Sequence, residues 1–288
     1  SWTKALTADV VKFGDPYRGE MIYRQKALAC TSCHAIGSAG ATIGPNLVAV
    51  GSAASPGYMI ESILKPNAAI AEHYENRMFT LKDGTVQIGV VTFKSEKEVV
   101  VRDSAQAGKE VKIPADTIQR EQAMPSLMPS GLADQLPGRQ EFLDLASFLS
   151  VLGRPGDFAN DESPVIRKWQ IATGSDTPPD NSAAWLPAYS KVDGTLPPDD
   201  LTGGEIIFAK GHLNVFVAGQ ATLRINSTEG LQLWLDEQKI EDPTAPLNLK
   251  LGRRALTFRI DRSRKSGLRV ELETPPISAL KFQPEGGP

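Results

Sequence analysis

Apolar residues recur at helical spacing in the first half of the chain. Four of them follow one another at intervals of three, four and three residues, which places them on one face of a helix. They are Phe142, Leu145, Leu149 and Leu152. An earlier helix is predicted to begin at Pro16, because Asp15 is a suitable N-cap and proline is favoured at the first helical position.

Between these helices the pattern changes to the period-two alternation of β-strands. Lys82-Asp83-Gly84 predicts a hairpin turn between two such segments. The alternating segments are residues 76–81, 86–93, 98–102 and 110–113. We therefore predict a small antiparallel meander of about four strands, inserted at about residues 75–118.

A run rich in glycine, proline and polar residues at 153–163 ends the helical pattern and predicts a linker. Beyond it, short apolar segments alternate with turn residues. They are residues 165–172, 205–209, 213–218, 220–226, 231–235, 247–249, 255–260 and 268–272. This spacing predicts an all-β sandwich domain over residues 164–288.

Length and charge exclude several classes of protein. The 288 residues are enough for about two domains. The 31 basic and 34 acidic residues give a net charge of −3, which argues against a general nucleic-acid-binding protein. No apolar run approaches the ~20 residues of a membrane helix, so we expect no transmembrane segment.

The strongest chemical signal is the sequence Cys-Thr-Ser-Cys-His at residues 30–34, which contains both cysteines of the chain. Cys-x-x-Cys-His is the attachment signature of c-type haem. Cys30 and Cys33 would each bind one haem vinyl group, and His34 would be the proximal iron ligand. A thioredoxin-like redox pair, half of a zinc site and a chance occurrence are the alternatives.

The segment Ile-Gly-Pro-Asn-Leu at residues 43–47 resembles the Gly-Pro-x-Leu segment of class I c-type cytochromes. The resemblance implies that the carbonyl of Pro45 accepts the Nδ1 proton of the proximal histidine and orients its ring. It also implies that the first helix crosses the last one at a glycine. Gly19 matches that position, with Phe148 or Leu149 as its neighbour.

The distal iron ligand is expected in the segment that precedes the last helix. Met124 and Met128 both stand before a proline, which favours an extended backbone. Met128 is preferred, because Ser-Leu-Met-Pro-x-Gly-Leu resembles the ligand loop of one cytochrome family. Met124 is interpreted as a core residue, and His73 as an exposed loop histidine.

Taken together, residues 14–152 resemble the haem-binding domain of planctomycete and verrucomicrobial secreted proteins. One position departs from that family, since Ala53 and Ala54 stand where an arginine often lies near a haem propionate. The resemblance implies a multidomain chain: a mainly α cytochrome c domain at 1–152, with the β insertion, followed by the all-β sandwich. One covalent haem c is the expected cofactor.

Residues 224–272 resemble protective-antigen-type β-sandwich domains, some of which bind carbohydrate. Glu241 and Asp242 form a weak candidate for a calcium site. Trp234 is interpreted as a core residue, and Trp169 and Trp185 could either stack on a sugar or pack in the core. A carbohydrate-binding protein with a haem redox or sensor domain is therefore the alternative function.

The expected function is electron transfer in the periplasm or outside the cell, without enzymatic activity of its own. The redox partner would be a dehydrogenase or another cytochrome, and the chain could be a fragment of a larger oxidoreductase.

Overall fold

The computed structural model describes residues 2–106, 108–159, 163–180, 182–264 and 267–285. The chain divides into two compact units. The first comprises the chain up to Ala35 together with Ala41–Gly156, and the second comprises Ile36–Gly40 and the chain from Asp157 onward. The predicted linker at 153–163 spans this division, although its residues 160–162 lie outside the described residues.

The described residues contain six α-helices: α1 Trp2–Phe13, α2 Pro16–Tyr23, α3 Cys30–Cys33, α4 Val50–Ala53, α5 Pro56–Leu64 and α6 Arg139–Val151. Four short 3-10 turns lie at Ser104–Gln106, Ala115–Thr117, Leu132–Gln135 and Pro198–Asp200. None of the helices in this described part is long and apolar enough to cross a membrane.

Helix α2 begins as the sequence predicts. The side chain of Asp15 accepts hydrogen bonds from the backbone N–H groups of Tyr17 and Arg18, and Pro16 occupies the first turn. The helix then crosses α6 at Gly19, where an added Cβ would lie only 2.6 Å from the Cβ of Phe148. The predicted close contact between Gly19 and Phe148 is confirmed.

Strands β1 Ala35–Ile36 and β2 Ala39–Gly40 form a two-stranded ladder. Five strands of the first unit form one antiparallel sheet. They are β3 Asn76–Leu81, β4 Val86–Lys94, β5 Glu98–Asp103, β6 Lys109–Pro114 and β7 Ile118–Ala123, in the order β6-β5-β4-β3-β7. The sheet has a hydrophobic core of its own around Phe79, Val99, Val101 and Ile113.

The prediction of a mainly α cytochrome c domain is wrong. The chain is mostly β, with seventeen strands among the described residues and about 22% helix. The physical reason is twofold. The period-two region forms a sheet of five strands that continues to Ala123, and the helices are short, with only α1 and α6 longer than nine residues.

From Asp157 onward, the described residues of the second unit contain ten strands: β8 Lys168–Thr173, β9 Leu186–Tyr189, β10 Ile206–Val217, β11 Gly219–Ile225, β12 Leu231–Leu235, β13 Gln238–Ile240, β14 Leu247–Leu249, β15 Gly252–Asp261, β16 Val270–Glu273 and β17 Lys281–Pro284. A seven-stranded sheet has the order β13-β12-β15-β10-β8-β9, with β17 also paired to β10. A three-stranded sheet has the order β14-β11-β16, and both sheets contribute to one hydrophobic core.

Candidate functional site

A cavity of about 380 Å³ lies within the first unit. It is bounded by the segment around α3, by α5, by α6 and by residues 126–129, which precede α6. Apolar side chains form most of its wall: Leu28, Ile43, Leu47, Ile63, Ile70, Val90, Leu132, Leu145 and Leu149. Its volume and apolar lining are those of a site for a small molecule or a cofactor.

The two cysteines lie at opposite ends of the single turn of α3, and both side chains line the cavity. Residues three apart in a helix share one face, so this turn directs both sulfur atoms to the same side. Ala29 caps the turn in the left-handed region with φ 53°, and His34 closes it with a backbone hydrogen bond to Cys30. Both cysteines are free thiols.

Burial raises the pKa of the Cys30 thiol to about 11, and burial also raises the pKa of Cys33. Both thiols are therefore protonated at neutral pH. A reactive Cys-x-x-Cys redox pair needs the opposite shift, because the thiolate is the nucleophile. The thiol chemistry gives no support to the thioredoxin-like alternative.

His34 also lines the cavity, and its imidazole Nδ1 lies 2.8 Å from the carbonyl oxygen of Pro45. A carbonyl oxygen can only accept, so Nδ1 carries the proton and Nε2 keeps a lone pair for a ligand. This is the hydrogen bond that the resemblance to class I cytochromes predicts. Burial lowers the pKa of His34, with the Pro45 bond acting in the opposite direction, so the neutral imidazole is favoured.

Two neighbours fix the position of His34. The hydroxyl of Tyr23 donates to the backbone carbonyl of His34 at 3.1 Å, and the Tyr23 ring packs against Phe148 of α6. Gly44 lies against the imidazole so closely that an added Cβ would be 2.6 Å from its Cε1 atom. The histidine is thus held at its backbone, at one ring nitrogen and at one ring edge.

Among the methionines, Met128 lines the cavity, whereas Met124 is not among the lining residues. Met124 directly follows β7, and its backbone N–H extends the ladder with a bond to the carbonyl of Asn76. Met59 of α5 is a cavity residue that sequence reasoning missed. Its place in a short apolar helix gives no sequence signal that separates it from an ordinary core methionine.

His73 lies on the surface of the protein. It adopts a left-handed backbone with φ 64°, and its side chain is 75% exposed beside Glu72. It is not one of the residues that line the cavity.

The described residues contain no cluster of three or more His, Cys, Asp or Glu side chains arranged to hold a metal ion. The half zinc site therefore finds no further ligands in this part of the chain. The donors that do meet at the cavity are the imidazole of His34, the thioethers of Met59 and Met128 and the two thiols. Together with the apolar wall, this set fits a haem c group, for which His and Met are the axial ligands in cytochromes c.

The candidate carbohydrate residues of the second unit have mainly structural surroundings. Trp169 and Trp234 are buried, as the sequence indicates for Trp234. Trp185 is partly exposed, but the Nζ of Lys210 lies 3.8 Å above its ring. Asp242 accepts hydrogen bonds from both the backbone and the hydroxyl of Thr244, which is a local turn motif.

No family model matches the chain, and no curated protein is a significant match to it.

Proposed function

We propose that this protein is a monohaem c-type electron carrier of the periplasm or the extracellular space. The observation that supports the proposal is the cavity whose wall includes Cys30, Cys33, His34 and Met128. These residues come from two segments about ninety positions apart in the sequence, yet they line one apolar space. A core that only needed packing would gain nothing from placing an imidazole there, because burying a polar group costs free energy.

The two thiols would hold the cofactor covalently. Each S–H adds across one vinyl group, forming a carbon–sulfur bond while the hydrogen goes to the other vinyl carbon, so the step consumes no oxidant. The turn of α3 keeps Cys30 and Cys33 on one face, at a spacing suited to two such bonds.

When bound, the haem supplies one-electron chemistry between its ferric and ferrous states. His34 presents a neutral Nε2, because Pro45 holds the proton on Nδ1. Met128, in the segment before α6, would supply a thioether, and a methionine ligand raises the reduction potential. With the haem held by His34 and Met128, the apolar wall would keep water and substrates away from the metal, which is what a simple electron carrier requires.

The partner we propose is another redox protein, either a dehydrogenase that donates the electron or a further cytochrome that accepts it. The location follows from the chemistry, since haem c is attached outside the cytoplasm. For the second unit we propose a docking or binding role.

The decisive experiment is expression of the full chain together with a c-type haem maturation system, followed by acid–acetone extraction. We expect the haem to stay on the protein. Single Cys30→Ala and Cys33→Ala variants should each retain one thioether, which shifts the pyridine haemochrome band of the reduced protein. The double variant should release its haem. Complete extraction of haem from the unmodified chain would overturn the proposal.

A further inference from the structure

Residues 124–130, here called the methionine loop, connect β7 to the segment before α6 and contain Met128. Pro125 and Pro129 lack a backbone N–H. Within the described chain, no backbone N–H of residues 125–130 donates to a backbone carbonyl. The hydrogen bonds that the backbone N–H groups of these residues donate go to side chains.

Asn67 makes two hydrogen bonds to the methionine loop. Its side-chain Oδ1 accepts from the backbone N–H of Ser126 at 2.8 Å, and its Nδ2 donates to the Oγ of Ser130 at 3.3 Å. A single side chain thus bridges both ends of the segment that carries Met128.

A third bond transmits this constraint to the methionine itself. The backbone N–H of Met128 donates to the Oγ of Ser126 at 3.2 Å. Ser126 is therefore tied to Asn67 through its backbone and to Met128 through its side chain. The connection from Asn67 to the backbone of Met128 runs through one residue.

Asn67 is itself attached to the cavity wall. It follows α5 in a turn closed by a bond from the N–H of Ala68 to the carbonyl of Lys65, at 2.8 Å. Its neighbour Pro66 is buried and lines the cavity, as does Ile63 of α5. Asn67 thus joins the α5 wall of the cavity to the methionine loop.

We propose that Asn67 is a positioning residue for the axial ligand: its bonds to the methionine loop keep Met128 at the cavity and so keep its sulfur on the iron. This inference rests on the proposed function, since it assigns a role toward the same haem. The inference assigns a role to Asn67, which lies outside the segments that contain the predicted iron ligands. It also means that the position of the distal ligand depends on the α5 side of the cavity.

Asn76 anchors the start of the loop in a different way. Its Nδ2 donates to the carbonyl of Pro125 at 3.2 Å, and the residue is only 6% exposed in the first strand of the sheet. Substitution there would disturb the fold as well as the loop. Asn67 is exposed, so its substitution tests the loop with little effect on the core.

The test compares three variants of the full chain carrying haem. Asn67→Ala removes both bonds, whereas Asn67→Asp keeps an acceptor for the Ser126 N–H and can accept from the Ser130 hydroxyl. Asn248→Ala is the matched control, because it removes an exposed asparagine whose Oδ1 accepts from Gln220 in the second unit.

Two readouts are needed. The first is ligation, followed by the sulfur-to-iron charge-transfer band of the oxidised protein and by the rate at which carbon monoxide binds the reduced protein. We expect Asn67→Ala to weaken the band and to speed carbon monoxide binding about tenfold, the effect of about 1.4 kcal/mol. The second readout is hydrogen exchange of the Ser126 N–H, which should also become about tenfold faster. Asn67→Asp should restore most of the sulfur-to-iron band and most of the slow carbon monoxide binding and hydrogen exchange. Asn248→Ala should leave all three measurements unchanged.

The failure of this inference differs from the failure of the proposed function. A wild-type protein with a strong sulfur band and an Asn67→Ala variant that equals it in band and carbon monoxide rate would overturn the role of Asn67 alone. A wild-type chain that never attaches haem, or attaches it without a sulfur ligand, would overturn both proposals.

Discussion

The imidazole Nδ1 of His34 and the carbonyl oxygen of Pro45 are 2.8 Å apart. The two residues lie eleven positions apart in the sequence, and this bond determines which ring nitrogen can act as a ligand. With the proton held on Nδ1, only Nε2 can bind a metal. Gly44 makes the bond possible, because it is the residue that lets the chain before Pro45 pass against the ring.

Gly44→Ala should therefore displace the imidazole of His34 as well as disturb the packing around it. The new Cβ would lie 2.6 Å from Cε1 and 2.8 Å from Nδ1 of His34, so the ring or the Pro45 segment must move. We expect a loss of about 1–3 kcal/mol in the free energy of unfolding, as for other overpacked sites. Guanidinium denaturation measures the loss, and the absorption spectrum of the haem protein reports the disturbed ligation.

Gly138→Ala is the control for that variant. Gly138 has an extended backbone, and a Cβ there would meet only the flexible Glu141 side chain, at 3.3 Å. Its stability and spectrum should stay close to those of the unmodified protein. If Gly44→Ala behaved in the same way, the close packing of Gly44 on His34 would have no role in holding the imidazole.

Three methionines form a second test, because each can be changed to leucine with little change in volume. Met128→Leu should abolish the sulfur-to-iron band, lower the reduction potential and open the iron to carbon monoxide. Met124→Leu should leave the spectrum unchanged, since Met124 is not among the cavity-lining residues. Met59→Leu is the strictest comparison, because Met59 lines the same cavity. Loss of the band in Met59→Leu rather than in Met128→Leu would transfer the distal ligand to α5.

The parts of the site that the sequence predicts are those encoded locally. Cys30 and Cys33 share one helical turn, so their spacing already determines their common direction, and His34 follows as the residue that caps this turn. The Gly19 contact is what the resemblance to class I c-type cytochromes implies. Met59 and Asn67 could not be found in this way, because one reads as an ordinary apolar helix residue and the other as a polar turn residue.

The missed strands have a common physical cause. Strand β7 contains the polar residues 119–122 and lies at the edge of its sheet, where it pairs with β3 through backbone bonds and buries almost no side chain. Strand β9 is also an edge strand and contains Pro187, which the pattern of a central strand would exclude. Edge strands carry little hydrophobic signal, which is why the β content was predicted too low.

The crossing of α2 and α6 provides a prediction about stability. At Gly19 an added Cβ would meet the backbone carbonyl of Asp144 as well as the Cβ of Phe148, and neither can move without shifting a helix. We expect Gly19→Ala to lower the free energy of unfolding by about 1–3 kcal/mol. Gly57→Ala in α5 is the matched control, because its Cβ would meet only a methyl group of Thr3, at 3.3 Å. Equal stability of the two variants would contradict the close crossing.

The second unit should show a pH dependence that originates at His212. Burial lowers the pKa of this histidine below its ordinary value of 6.5, and the positive charge of Arg253 acts in the same direction. Lys210 also lowers the pKa, whereas Glu285, 3.5 Å from Nδ1, and Asp236 raise it without reversing the shift. The folded protein therefore favours the neutral imidazole.

The sign of the effect follows from proton binding. Between the lowered pKa and about 6.5, the unfolded chain binds more protons at this position than the folded chain does, so stability rises with pH. The contribution of neutral His212 is complete above about pH 6.5 and is lost as the pH falls toward the lowered value.

His212→Gln should remove this part of the dependence, so that the stability difference between variant and parent changes between pH 7 and pH 5, in favour of the variant at low pH. Guanidinium unfolding followed by tryptophan fluorescence measures it, because three of the four tryptophans belong to the second unit. The exposed His73 provides the control, and His73→Gln should keep the pH dependence of the parent. A His212→Gln variant whose stability differs from that of the parent by the same amount at both pH values would show that His212 does not titrate on unfolding.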